Sequence, residues 1–346
     1  ATAAAAAAGE PRCHRLHLCR EPPPPPLPAT PRCHRLPCDA MRALLLASLA
    51  AACSGLIRPP VVILPGFGNA DVDYVTPLGQ PEEKGLRAAL RRRGFDDVSI
   101  VPLPRWEWVR VAGGLVDPAF WSCSQRPDGL AYGWYVARAR ETIDAACARS
   151  GRALVLGHSA GGWLARATLG DGGAWPARDR VRGLVTLGAP HFPPPEGSPP
   201  CATRGALAYC DANLPGAFLD GVAYVTVAGS AIAGSREPPG DYDPLLPSRE
   251  LLAGRTEADE LYAKRGEGSA ARVAYANYVA LGGDGAATGD GVIPVACAHL
   301  EGATQLTLDD VLHSINEAGT ALPTERWYGS EAVIDRWLDA ALAKLQ

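Results

Sequence analysis

From residue 58 onward the chain alternates between short unbroken apolar runs and longer stretches whose apolar residues return every three or four positions. The first pattern suits strands buried on both faces, the second helices with one covered face. Val61 to Leu64, Val98 to Val101, Ala153 to Leu156, Val181 to Leu187, Ala223 to Ala228 and Gln305 to Leu308 read as strands, and so does Val273 to Leu281. Glu82 to Arg93, Tyr132 to Arg149, Trp163 to Leu169 and a piece around Glu257 to Lys264 read as helices. The last helix is strongly two-faced, with Ile334, Trp337, Leu338, Ala341, Leu342 and Leu345 on one side. Strands alternating with helices predict the α/β class: a mainly parallel central sheet with helices on both faces. Two stretches interrupt the alternation, at about 191–222 and 231–272. The first is rich in proline and reads as a lid or cap insert.

The first 57 residues follow neither pattern. Residues 1–40 hold the run Pro22 to Pro26, an alanine tract and the repeat Pro-Arg-Cys-His-Arg-Leu at 11–16 and 31–36. With no hydrophobic periodicity to build a finger around those Cys and His positions, the segment reads as a low-complexity extension rather than a zinc knuckle. The single methionine, Met41, is the expected translation start, which would leave 1–40 outside the protein. Met41-Arg42 and the apolar run Ala43 to Ala52 then outline a targeting segment over 41–57, for a plastid or the secretory route. The alternation of strands and helices is confined to 58–346, which reads as one α/β domain carrying the two inserts.

Composition narrows the function. The 33 basic and 37 acidic residues leave a net charge of −4, so no polyanion-binding surface and no nucleic-acid partner are expected. The apolar run at 43–52 is too short to span a bilayer. The cysteines from residue 58 on, Cys123, Cys147, Cys201, Cys210 and Cys297, are odd in number and scattered; whether Cys201 and Cys210 pair is left open.

The chemistry is concentrated at Gly157-His158-Ser159-Ala160-Gly161-Gly162, a G-x-S-x-G motif between an apolar strand and a helix. That turn is sharp enough to exclude bulk two residues either side of the serine, and it lifts Ser159 above the sheet edge as a nucleophile. The helix that follows aims its first amides at developing negative charge, which makes Ala160 N–H an oxyanion donor. The second donor is expected in the loop after the first strand, Pro65-Gly66-Phe67-Gly68, where Phe67 N–H is the candidate. A hydroxyl nucleophile needs a base. His313, after the last strand, is preferred, with His299 as second choice; Gly66, His158 and His191 read as substrate-binding residues. The acid that orients the histidine is Asp290, in Gly289-Asp290-Gly291-Val292-Ile293-Pro294, with Asp284 as its rival.

With Ser159, Asp290 and His313 in that order, the sequence resembles the α/β-hydrolase superfamily and in particular its lipase-like members. Gly188-Ala189-Pro190-His191 is similar to a strand end of lipases and of GPI inositol-deacylase-like α/β domains. Trp327-Tyr328-Gly329-Ser330 is similar to a segment of plant and algal plastid-type hydrolases. The resemblance implies a serine lipase or esterase acting on a small-molecule acyl ester or lipid, with peripheral membrane contact and no obligate protein partner. An acyltransferase of the same fold and a non-catalytic ligand-binding protein are the alternatives. No cofactor motif and no metal site is read. Trp106, Trp108, Trp121, Trp134 and Trp175 are candidates for apolar walls.

Overall fold

Four adjacent strands rich in aliphatic residues and buried along almost their whole length set the centre of the molecule, because such residues must be covered on both faces. The computed structural model describes residues 58–170, 175–236, 270–316 and 323–345. The low-complexity extension, the targeting segment and the helical piece expected at 257–264 lie outside them. Six parallel strands form the sheet: β1 (Val61–Leu64), β2 (Val98–Ile100), β3 (Ala153–His158), β4 (Val181–Leu187), β5 (Ala223–Gly229) and, last in the sequence, β8 (Thr304–Leu308), in the order β2-β1-β3-β4-β5-β8. β6 (Ile232–Ala233) and β7 (Thr288–Gly289) pair antiparallel in a small ribbon just ahead of Asp290.

Alternation along each strand sends residues to opposite layers. Val61, Ile63, Leu154, Leu156, Val225 and Val227 pack under α1 (Leu86–Arg92) and the C-terminal helix, here α6 (Ile334–Leu345), through Leu90, Ile334, Trp337 and Leu338. Val62, Leu64, Val155 and Tyr224 face α2 (Gly133–Ser150), α3 (Ala160–Gly170) and α4 (Ala206–Asn213), through Tyr135, Ile143, Trp163 and Leu207. Each fully buried aliphatic or aromatic side chain contributes about 1.5–3 kcal/mol, so the two layers rather than any single contact hold the sheet.

Two local expectations change. Val273 to Leu281 is not a strand but part of a helix over 270–282, here α5. Val273, Tyr275 and Tyr278 are good strand formers, yet the buried positions are Ala274 and Tyr278, four apart, with Val273 and Ala276 exposed between and beside them; helical burial overrides β propensity. The helix expected over Glu82 to Arg93 is split into a 3₁₀ turn, Glu82–Lys84, and α1. Gly85 between them is extended and pressed so closely against Val75 that a Cβ would lie 2.2 Å from its carbonyl oxygen.

The insert at 191–222 crosses the α3 side of the sheet. It is fastened there by α4 and by Arg166 of α3, a guanidinium with no solvent exposure, which donates to the carbonyls of His191 (3.0 Å) and Leu214 (2.6 Å). All five cysteines of the described residues carry free thiols, Cys201 and Cys210 included.

Candidate active site

Register places the site. β1 and β4 flank β3 so that Leu64 lies level with Gly157, and Leu187 with His158, and the chain leaves the centre of the sheet's C-terminal edge at Ser159. Ser159 sits at φ 53°, the left-handed region that L-residues avoid, and α3 starts at the next residue. Such strain persists only where the surroundings hold it. Here Gly161 provides the close approach: a Cβ on it would stand 2.1 Å from the carbonyl oxygen of Leu64.

The structure brings Ser159, His313 and Asp290 into one hydrogen-bonded line. His313 Nε2 lies 3.0 Å from Ser159 Oγ, and His313 Nδ1 lies 2.8 Å from Asp290 Oδ2. Asp290 is 1% exposed. Its Oδ1 accepts from the amides of Val292 (3.0 Å) and Ile293 (2.7 Å). The backbone is stitched as well, His313 N–H donating to Asp290 O at 2.9 Å. An imidazole between a hydroxyl and a buried carboxylate can take a proton from the first while the second fixes its orientation.

Gly66 lies against the nucleophile, where a Cβ would be 2.6 Å from Ser159 Cβ and 3.3 Å from its Oγ. Gly66 N–H is bonded to Tyr74 Oη (3.1 Å). Among the described residues, no protein acceptor takes the amides of Phe67 or Ala160. Both belong to the backbone that flanks Ser159, so both are free to meet an oxyanion. The Phe67 side chain is exposed and packs on the Trp108 ring at 5.0 Å. Of the five tryptophans proposed as apolar walls, Trp108 and Trp175 are buried in the core, Trp134 is half-buried, and only Trp106 and Trp121 stand out to solvent.

Two expected substrate contacts are corrected. His158, 2% exposed, points into the protein: its Nε2–H donates to the carbonyl of His313 (2.8 Å), and its Nδ1 accepts from Tyr74 O–H (2.8 Å). Burial first, then the neighbouring His313 ring, pushes its imidazole down to about 3, so it is neutral. His191 has no exposure at all, and lies between Thr186 Oγ1 (3.0 Å) and Arg166. Burial and the adjacent guanidinium hold it well below the usual histidine range. Neither ring can reach a substrate. The rivals for base and acid also fall elsewhere. His299 is held between Thr226 and Thr307, each at 3.0 Å, and exposed Asp284 accepts from Ala286 N–H within its own turn.

Sequence reasoning missed two tyrosines. Tyr74 Oη gathers Gly66 N–H and Asn69 Nδ2 and donates to His158, which ties the Gly66–Phe67 loop to the backbone of the histidine. Tyr328 O–H donates to Asp290 Oδ2 at 2.8 Å. Tyr74 ends a single 3₁₀ turn and Tyr328 lies in a tight turn, elements too short to carry periodicity, so only the Trp-Tyr-Gly-Ser segment hinted at the second. A cleft of about 100 Å³ opens beside Asp290 and His313, bordered by Val273, Val292 and Leu312. A larger groove of about 730 Å³ runs along the free edge of β2 and touches none of these residues.

No protein-family model matches the chain, and no curated protein matches it. Solved structures similar to it include lipase B of Aspergillus fumigatus, 14% identical at a TM-score of 0.30 over 50% of this chain and 37% of the lipase. A metagenomic carboxyl esterase is 15% identical at a TM-score of 0.39, covering 83% of this chain and 77% of its own. A pyrethroid hydrolase of Sphingobium faniae is 24% identical at a TM-score of 0.22, covering 44% and 50%. The match thus spans well under half of the lipase's length. These neighbours are hydrolases. The parallel six-stranded sheet covered on both faces, with a strand–Ser159–helix elbow at its C-terminal edge, is an α/β-hydrolase fold.

Proposed function

We propose that this protein is a serine carboxylester hydrolase that acts on acyl esters through an acyl-enzyme intermediate. One observation carries the reading: His313 bridges Ser159 Oγ at 3.0 Å and buried Asp290 at 2.8 Å, beside two amides without protein acceptors. In the first half-reaction Ser159 Oγ attacks the ester carbonyl carbon while its proton moves to His313 Nε2. The oxyanion faces the amides of Phe67 and Ala160. When it collapses the C–O bond to the alcohol breaks, and the imidazolium gives its proton to the departing oxygen. Water then adds to the acyl carbon as His313 takes its proton, and the carboxylic acid leaves with Ser159 restored. Asp290 keeps the proton on Nδ1 throughout.

The exposed rings of Phe67 and Trp106 and the side chains of Val109, Val116 and Trp121, in segments that follow β1 and β2, support an apolar acyl group as substrate. A lipase-like preference is the finer form of the proposal. It is tested by hydrolysis of p-nitrophenyl esters of rising chain length, with Ser159→Ala alongside. Turnover that climbs with chain length and vanishes in the variant supports the lipid-like reading, and turnover of short esters alone restricts it to small esters. Turnover that survives in Ser159→Ala, or none together with no fluorophosphonate labelling of Ser159, overturns it.

A further inference from the structure

Asp290 Oδ2 accepts two hydrogen bonds, and only one belongs to the histidine. The other comes from Tyr328, a residue with no solvent exposure, whose Oη lies 2.8 Å from Oδ2 and also receives Gly229 N–H at 2.7 Å. Because an amide can only donate, it occupies a lone pair of the phenol, and the phenol hydrogen is left for the carboxylate. Burial first, and the carboxylate second, hold the Tyr328 hydroxyl well above the usual tyrosine range, so it stays an O–H donor.

The fold builds this contact deliberately from three directions. The turn Trp327-Tyr328-Gly329-Ser330 is closed by Ser330 Oγ donating to Trp327 O (2.8 Å), and Trp337 of α6 donates to Tyr328 O (2.8 Å). At the end of β4, Gly188 leaves the space in which Tyr328 and Asp290 meet. A Cβ there would lie 2.5 Å from Asp290 Oδ2 and 2.8 Å from Tyr328 Oη.

We propose that Tyr328 is a positioning residue for the base: together with the amides of Val292 and Ile293 it aims the Asp290 carboxylate and shares its charge, and so tunes the support that Asp290 gives His313. This rests on the reading of Ser159, Asp290 and His313 as the reacting line. Three neutral donors share the carboxylate's charge, which leaves the fourth bond to be made by a protonated Nδ1 and Nε2 bare toward Ser159. Removing the Tyr328 hydroxyl concentrates charge on Oδ2. The more basic carboxylate then stabilises the imidazolium more strongly, and His313 takes up its proton at higher pH. Other titratable groups near this line do not interfere. The His158 ring, 5.0 Å from His313, is neutral, and the Tyr278 hydroxyl, bonded to Gly291 N–H and Ile232 O, is raised by burial.

The experiment follows the His313 imidazole by NMR in full-length protein labelled with ¹⁵N at histidine, for wild type, Tyr328→Phe, Gly188→Ala and Val333→Ala. Kinetics on a p-nitrophenyl ester run in parallel. Val333 is buried in the same apolar cluster as Tyr328 and its side chain carries no polar atom, so Val333→Ala, which keeps the backbone bond to Ser330, controls for loss of stability alone. Tyr328→Phe is expected to raise the His313 midpoint, and the acid limb of kcat/KM with it, by about half to one pH unit, with KM unchanged. Gly188→Ala, which wedges the pair apart, is expected to move the midpoint the same way, and Val333→Ala to leave it in place. A Tyr328→Phe protein whose melting temperature falls while its His313 midpoint stays at the wild-type value overturns the proposal. The titration decides this even in a protein without ester turnover, whereas loss of Ser159-dependent turnover in the wild type would count against the hydrolase reading alone.

Discussion

Acidification from pH 7 to pH 5 should destabilise the fold through its buried neutral histidines, His158 among them. This ring is 2% exposed and holds an acceptor on one nitrogen and a donor on the other, an arrangement that only the neutral imidazole satisfies. Its value falls from the ordinary 6.5 to about 3 on folding. Between those values the unfolded chain binds a proton that the native state refuses, so stability is fully present above 6.5 and drains away as pH drops toward 3. At pH 5, 1.5 units below the unfolded value, one such group removes about 2 kcal/mol at ~1.36 kcal/mol per unit. Buried His191 and half-buried His299 are lowered too and act with the same sign. The lowered carboxylates, such as Asp97 and Glu82, lose their contribution only at more acid pH. The assay is urea unfolding followed by tryptophan fluorescence at pH 7, 6 and 5, on wild type and His158→Gln. Glutamine keeps a donor for His313 O but cannot titrate. The variant should be less stable at pH 7, by roughly 1–2 kcal/mol for the hydrogen bond that Tyr74 loses. Its loss on acidification should be smaller than the wild type's by about 2 kcal/mol. Parallel stability curves for the two proteins would refute a neutral, buried His158.

Three further substitutions test the assignment of roles. His313→Ala should abolish ester turnover and leave the fold intact, while His299→Ala, which loses only its bonds to two strand threonines, should keep most of it; steady-state rates on one ester decide between them. Asp290→Asn should lower kcat on the order of 10⁴-fold by presenting the wrong partner to His313 Nδ1, and Asp284→Asn should leave kcat near the wild-type value. Gly161→Ala should remove fluorophosphonate labelling of Ser159, because the new Cβ would sit 2.1 Å from Leu64 O and the elbow must open.

Much of the sheet was legible because a strand buried on both faces cannot hide its composition: Val61 to Leu64, Ala153 to Leu156 and Val181 to Leu187 have few other uses. The serine was legible because its turn excludes side chains at fixed positions on either side. Histidine burial was not. His158 closes β3 and His191 comes shortly after β4, where either a solvent-facing or an inward ring is compatible with the sequence. What turns His158 inward are partners far away in the chain, Tyr74 and His313, and His191 is held by Arg166 of α3 together with nearby Thr186. The helix over 270–282 was misread for a related reason. Its aromatic and β-branched residues state a local preference for strand, and the interior that accepts Ala274 and Tyr278 is supplied by other parts of the fold.

Arg166 shows how far such long-range terms reach. Proline and length made the insert at 191–222 read as a lid, and a lid must be able to leave. Yet a guanidinium without solvent exposure, and among the described residues without an ion-paired carboxylate, is tolerated because carbonyls of His191, Cys210 and Leu214 surround it. Cys210 lies in the last turn of α4 and Leu214 just past it, so the positive charge also meets the negative end of that helix. Ala206, Leu207 and Cys210 are buried beside it, which makes α4 part of the core. Opening this segment would expose that apolar face and strip the carbonyls of their donor together. Arg166→Met removes the charge but leaves the carbonyls of His191 and Leu214 unpaired, at a cost of about 1–3 kcal/mol each. It should therefore accelerate amide exchange in α4 and lower the melting temperature, while Ser159 still reacts with a fluorophosphonate. If exchange in α4 is already fast in the wild type and unchanged in Arg166→Met, the segment moves freely and the guanidinium does not hold it.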